Sequence, residues 1–335
     1  RIDLTDALFL AGQDDAARHN AELLIAAGVD DRIGGGMRAL VGAIDDRRPV
    51  RFRGFASLLP STNINGGTDK TTITIGGLPF VVDPDARRKS GVGAMLGGEL
   101  LFRQRFRRDL ALVGSLSATG RFYPSISRID LLADASAGIE KKTANGVFIA
   151  SLVARQDLAN MRATFREAGV QLESSHFIGG MGRIYGKVRM TARDFMNETT
   201  RDGFKLEVSG FVDRFLGPQR FVRFLGGIAT EQVTVPIFSY DEFQLGLGYN
   251  TELPLGLTLY AQAQYANRHH RAPLLFFGNR QDHRIDVQAT LTKRDFTLLG
   301  GLAPQVTYSF TRNISNYVFD DTTTHGLDFR LVKDF

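Results

Sequence analysis

His325-Gly-Leu327-Asp328-Phe329-Arg330-Leu331-Val332-Lys333-Asp334-Phe335 closes the chain. In an extended strand, successive side chains point to opposite faces. Leu327, Phe329, Leu331 and Phe335 therefore share one face, and Asp328, Arg330 and Asp334 share the other. A soluble protein rarely places an aromatic terminus on such a strand. A strand with hydrocarbon on one side and water on the other has a use for it. The pattern predicts the last strand of a bacterial outer-membrane β-barrel, with Leu327, Phe329, Leu331 and Phe335 as its insertion signal.

The same period runs back to Val50. Val92, Ala94, Leu96, Gly98, Leu100 and Phe102 alternate with more polar neighbours, and so do Ile184, Gly186, Val188, Met190 and Ala192. Leu255, Leu257, Leu259, Ala261, Ala263 and Tyr265 give the cleanest case. About fourteen such segments are expected, near 51–62, 91–104, 108–122, 127–140, 146–157, 162–175 and 182–195. The rest fall near 202–214, 220–233, 239–252, 255–268, 281–294, 296–311 and 323–335. Each is long enough for a tilted strand to cross a bilayer, which takes roughly 9–11 residues. An even number of antiparallel strands closes the sheet and leaves no unpaired backbone in lipid. The fold class is therefore all-β: a transmembrane antiparallel barrel of about 14 strands.

Connections fall into two sets. Gln104–Arg108, Asn145-Gly146, Leu253-Pro254 and Asp295 read as short turns. Asn63–Lys89, Phe195–Asp202 and Arg268–Gln281 read as longer loops. Within the first long loop, Thr71–Gly76 and Phe80–Asp83 form either a hairpin or a plug.

Composition agrees with strands rather than helices as the spanning element. No run of roughly 18 apolar residues occurs, and of 335 residues 43% are hydrophobic. Aromatics are 25 Phe and 8 Tyr with no Trp, so Phe and Tyr must build any membrane girdle. There is no Cys, which removes disulfides and thiolate metal sites. The net charge of +5 is scattered rather than gathered in a basic stripe, which argues against a nucleic-acid partner. Residue 1 is not Met and no apolar leader follows, so the chain reads as mature or trimmed.

Residues 1–48 have a different texture and form a separate helical segment, expected in the periplasm; the barrel occupies 50–335. Leu4, Leu8 and Ala11 repeat at helical spacing until Gly12. A second helix carries Ala17, Ala21, Leu24 and Ile25 and stops at Gly28. A third, opened by Asp30-Asp31, carries Ile33, Met37, Leu40, Val41 and Ile44, with Gly34–Gly36 weakening its first turn. The order suggests either a degenerate tetratricopeptide (TPR) unit or an ordinary helical hairpin.

Chemical motifs are few. No His-Glu-x-x-His or Gly-x-Ser-x-Gly pattern occurs. His269-His270 reads as a solvated loop pair. Gly91-Val-Gly93-Ala-Met-Leu-Gly97 lies in a strand pattern, where glycines serve curvature rather than a dinucleotide. No enzyme activity, cofactor or metal site is expected. Arg183, Lys187, Arg189, Arg193, Asp213, Arg214, Arg220 and Arg223 are expected on the lumen face, where they either coat a pore that attracts anions or pair with Asp and Glu on facing strands.

Three stretches carry a family resemblance. Leu59-Pro60-Ser-Thr-Asn63-Ile-Asn65-Gly-Gly-Thr68 is one, and Phe80-Val-Val-Asp83-Pro-Asp-Ala-Arg87 with Ser90-Gly91-Val-Gly93 is another. The third runs from Gly301-Leu-Ala-Pro304 through Val306-Thr-Tyr-Ser-Phe-Thr-Arg312-Asn-Ile-Ser315-Asn316-Tyr317 to Lys333-Asp-Phe335. They resemble the surface lipoprotein assembly modulators (Slam proteins). The resemblance implies a fourteen-stranded outer-membrane barrel behind a periplasmic tetratricopeptide domain. It implies a client partner, either a surface lipoprotein or a secreted haem- or metal-acquisition protein, moved across the outer membrane. Membrane lipid and the barrel assembly machinery are the other expected partners. A porin-type diffusion channel for ions or small solutes is the alternative.

Overall fold

A computed structural model describes residues 2–26, 31–47, 49–75, 77–178, 182–217, 219–274, 278–293 and 302–332. Three helices open it: α1 (Ile2–Leu10), α2 (Asp14–Ala26) and α3 (Asp31–Arg47). Strand β1 (Val50–Ser61) follows, then a small hairpin of β2 (Thr72–Ile75) and β3 (Leu78–Val81). The wall continues through β4 (Gly91–Arg105), β5 (Leu110–Tyr123), β6 (Arg128–Lys142), β7 (Gly146–Ala159), β8 (Arg162–Ile178) and β9 (Gly182–Phe195). After these come β10 (Gly203–Gly217), β11 (Arg220–Val233), β12 (Tyr240–Leu253) and β13 (Leu257–Leu274). β14 (Gly278–Lys293), β15 (Ala303–Ser315) and β16 (Thr322–Val332) complete it.

Apart from β2 and β3, every strand pairs antiparallel with its sequence neighbour, and β1 pairs with β16. Among the described residues the result is a closed barrel of fourteen strands. Closure matters because hydrocarbon offers no hydrogen-bond partner to an open sheet edge. The outer face carries the apolar half of each strand: Phe52, Leu96, Leu116, Leu152, Leu172, Phe224 and Leu245 are all more than half exposed. In water, an apolar surface of this extent would be unstable; in a bilayer it is solvated.

Without tryptophan, the girdle pairs phenol and phenyl rings with imidazole. On the outer face toward the end remote from the helices, Phe243 meets Tyr265 at 6.0 Å between ring centroids, and Tyr265 stacks on His283 at 6.1 Å. His325 lies 4.9 Å from Phe310 and accepts or donates a 2.9 Å bond with the Tyr308 hydroxyl.

Two expectations change. Arg268–Gln281 is not a loop: the β13–β14 ladder runs on to Leu274 opposite Gly278, with a register shift between His269 and Pro273. Polar residues hid this continuation, because a strand rising past the apolar band alternates without an apolar face. His269 and His270 therefore lie within β13 on opposite faces, and His270 is buried against the Ile237 carbonyl at 3.1 Å. Helix α3 also runs through Gly34–Gly36. Its apolar stripe packs Met37, Ile33, Leu40 and Val41 with Ala21 and Leu24 of α2, which offsets roughly 1 kcal/mol per glycine. Gly28, Asp30 and Asp295 lie outside the described residues.

Candidate functional site

Closure turns the polar half of each strand inward, and the site is this inner wall together with its two ends. One arc of the wall is ionic. Asp213 of β10 has no exposed surface and takes Arg223 of β11 at 2.7 Å and Arg183 of β9 at 2.9 Å. Register explains the triad: Asp213 sits directly opposite both Arg183 and Arg223. The Arg223 guanidinium also lies 3.8 Å from the centroid of the Phe211 ring. Further along the same strands, Glu167 of β8 pairs with Arg193 and, at 3.5 Å, with Arg189, while Arg193 reaches Glu231 of β11 at 3.0 Å.

Of the lumen charges named from sequence, Arg183, Arg189, Arg193, Asp213 and Arg223 are thus paired across strands, whereas Arg214 and Arg220 alternate onto the outer face of β10 and β11, with Val212 and Phe224. Lys187 has no ion pair within 4 Å among the described residues. It stands opposite Glu173, whose carboxylate accepts from the Tyr185 hydroxyl at 2.7 Å. A second arc, on β12 to β15, is ion-paired toward the far end, through Glu242 with Arg268 at 2.7 Å and Arg284 with Asp286 at 2.8 Å, and carries amides and hydroxyls from mid-height toward the helices. Tyr260, Gln262, Gln264 and Gln244 form a relay of hydrogen bonds of 2.5–3.4 Å. Thr290 meets Thr307 at 3.0 Å, and Gln305 donates to Thr292 at 2.9 Å.

The helices lie against the mouth at their own end. Phe177 of β8 packs on the α2–α3 core, and the Arg105 guanidinium of β4 lies 3.5 Å from where a Cβ on Gly42 of α3 would stand. Both strand residues belong to the inward half of their strands. The helical segment therefore docks on the rim from inside the lumen opening rather than on the outer wall.

The opposite end holds most of the family-like residues. Asn63 closes a turn through two 2.9 Å bonds with Gly67, one each way. A Cβ on Gly67 would stand 2.4 Å from the Arg87 carbonyl carbon, so only glycine fits. Asn65 donates to the Arg87 carbonyl at 2.7 Å and accepts from the Lys89 amide at 2.8 Å. Asn316 accepts from the Gln281 amide at 2.8 Å, and the Ser315 hydroxyl accepts from the Tyr317 amide at 3.0 Å. Arg312 pairs with Asp321 and lies 3.8 Å from Asp69.

Pro60, Gly91 and Gly93 lie on the β1–β4 ladder beside this cluster, with Ser61 opposite Gly91 and Leu59 opposite Gly93, and Ser90 immediately precedes β4. Pro304 does not join them: it faces Leu331 near the helix-bearing end. Leu327, Phe329 and Leu331 occupy the outer face of β16, whereas Phe335 lies outside the described residues.

Reading the sequence missed Glu167 and Glu231, and named Asp213 without its partners, because charge pairing across strands requires the register. It also missed Asp69 and Asp321, and held Thr68 only as the end of a family-like stretch. Their signal, short polar residues just after β1 and just before β16, becomes meaningful only once the first and last strands are known to be neighbours.

A closed wall of this kind, apolar outside and ion-paired inside, defines an outer-membrane β-barrel. Solved structures to which the chain is similar include a loop-deletion mutant of OmpT from Vibrio cholerae (10% identity, TM-score 0.44, 84% of this chain and 98% of that one). OmpF of Salmonella typhi is another (8%, 0.48, 85% and 97%), as is a Pseudomonas aeruginosa FadL homologue (10%, 0.48, 86% and 91%). The comparison with curated proteins found no match. Residues 51–335 match the model of the surface lipoprotein assembly modifier family, and the chain belongs to that family. Its role is in surface lipoprotein assembly at the outer membrane, and the family is not a family of enzymes.

Proposed function

We propose that the barrel is a translocon that delivers lipoproteins to the cell surface, with α1–α3 on the periplasmic side as the first contact for the client. The family match over the whole barrel carries this reading. The wall supports it physically. Asp213, Glu167 and Glu231 are already neutralised by facing arginines, and β12 to β15 add amides and hydroxyls beside their own Glu242–Arg268 and Arg284–Asp286 pairs, so a passing chain meets no strong net field.

The resemblance extends the client class to secreted haem- or metal-acquisition proteins. Direction comes from the client folding outside. The barrel assembly machinery reads β16, through Leu327, Phe329, Leu331 and Phe335, and inserts the barrel into the lipid. A plain diffusion channel has less need of helices seated on its rim through Phe177 and Arg105.

The test is surface biotinylation of lipoproteins in cells with and without the gene. At least one lipoprotein should lose surface exposure tenfold or more in the deletion strain and regain it on complementation. An unchanged surface set would leave the porin reading in its place.

A further inference from the structure

The junction of the first and last strands is built differently from its neighbours. β1 pairs with β4 at every residue from Val50 to Ser61, and β16 pairs with β15 at every residue from Thr322 to Val332. Between β1 and β16 the described pairs are Phe55 with Val332, Ala56 with Leu331, Ser57 with Arg330, Leu58 with Phe329, and Ser61 with Gly326. The ladder skips Leu59 and Pro60, where proline has no N–H to give. Side chains supply part of what the backbone does not. The Ser57 hydroxyl donates to Asp328, and the Arg330 guanidinium lies 4.2 Å from the centroid of the Phe55 ring.

Above the seam, at the end remote from the helices, the chain leaving β1 crosses to the chain entering β16. The Thr62 amide donates to the His325 carbonyl and the His325 amide to the Thr62 hydroxyl, both at 2.9 Å. The Thr68 hydroxyl donates to the Val318 carbonyl at 2.6 Å, and the Asp69 amide to the Asp321 carbonyl at 3.2 Å. Lys70 pairs with Asp321 at 3.4 Å, and Arg312 bridges Asp321 toward Asp69. This clasp lies beyond the lipid-facing wall and mixes side-chain bonds and part-exposed ion pairs with two backbone bonds, so water takes over its groups on opening, which hydrocarbon does not do for a ladder.

A lipoprotein sets a requirement that a soluble client does not. Each methylene of its acyl anchor gains about 0.8 kcal/mol from hydrocarbon over water, and this lumen is lined with charges and amides. The anchor must leave sideways. We propose that the β1–β16 seam is the lateral exit through which the acyl anchor passes from the lumen to the outer leaflet, held shut by the clasp of Thr62–Lys70 on Val318–Asp321 and His325. This rests on the lipoprotein role proposed above.

The chain has no cysteine, so a staple can be introduced cleanly. Ala56→Cys with Leu331→Cys spans the seam; Val170→Cys with Met190→Cys, opposite each other on β8 and β9, is the control. Ser61→Cys with Gly326→Cys is a second seam staple, for use if the first pair impairs insertion. Surface exposure of lipoproteins is read on intact cells before and after reduction. The oxidised seam staple should cut delivery at least tenfold, reduction should restore it, and the control should deliver normally. Normal delivery by a fully oxidised seam staple would overturn the exit alone. If the unmodified protein raises no lipoprotein above the deletion strain, the proposed function fails and the exit falls with it.

Discussion

The Thr68 hydroxyl donates to the Val318 carbonyl at 2.6 Å and approaches the Asp321 carbonyl at 3.1 Å, joining the chain just after the first strand to the chain just before the last. Two residues 250 positions apart thereby fasten the ends of the barrel wall to each other. Thr68 is almost wholly buried, so its replacement leaves acceptors without a donor. Thr68→Val should destabilise this end by about 1–3 kcal/mol. Amide exchange in Val318–Asp321 should speed up, while exchange in β8 and β9 stays unchanged. Equal acceleration in both regions would contradict a local clasp.

The Gly67 turn makes a sharper case. Its missing Cβ would meet the Arg87 backbone rather than a flexible side chain, and its φ-independent constraint is therefore spatial. Gly67→Ala should displace Arg87–Lys89 and loosen the Asn63 and Asn65 bonds, lowering the unfolding temperature. A variant with unchanged heat stability would show that the turn yields more easily than its geometry suggests.

Much of the wall was legible in sequence, because each strand needs only period 2 to declare itself. All fourteen expected segments overlap strands of the barrel. The β13–β14 extension was not, since Arg268 to Gln281 has risen out of the apolar band and keeps no hydrophobic face. The Arg183–Asp213–Arg223 triad, whose members were each expected on the lumen face, was illegible as a triad for a different reason. Its members are thirty and ten residues apart, and only the register makes them neighbours. The clasp needed still more: knowledge that residues near 68 and near 320 meet.

Asp213 holds two arginines from a fully buried position. Asp213→Ala should cost about 3 kcal/mol, because two cations lose their shared partner. Urea unfolding in detergent measures this. A loss under about 0.5 kcal/mol would mean lumen water solvates the arginines without help.

The Asp320 carboxyl, in the turn Val318–Asp320, responds to pH in the opposite sense to most acids in ion pairs. Burial pushes it above its ordinary range; Arg280 pulls it down and Asp282 adds to the rise. A raised folded pKa means the protonated form is favoured in the fold, so its contribution is full below the ordinary carboxylate value. It is lost as pH climbs through the folded value. Asp320→Asn should therefore remove a decline in stability of this end on going from acid to neutral pH. A decline that persists in the variant would assign it to another group.

The two faces of β12 should differ sharply in tolerance. Leu245 is outward near mid-strand, and Gln244 is inward and accepts from Gln264 at 2.5 Å. Leu245→Arg should lower stability in lipid by about 2–4 kcal/mol, whereas Gln244→Arg should change mainly what the lumen admits. Equal costs at both positions would be at odds with a lipid-facing outer wall.

Transfer across a membrane by the purified protein tests translocation most directly. Vesicles containing only this barrel are loaded with an acylated lipoprotein whose surface exposure depends on the gene, and protease is added outside. The lipoprotein should become degradable with the barrel present and stay protected in vesicles carrying an ordinary porin. A lipoprotein that remains protected while small solutes leak through the barrel would contradict translocation and leave a diffusion pore.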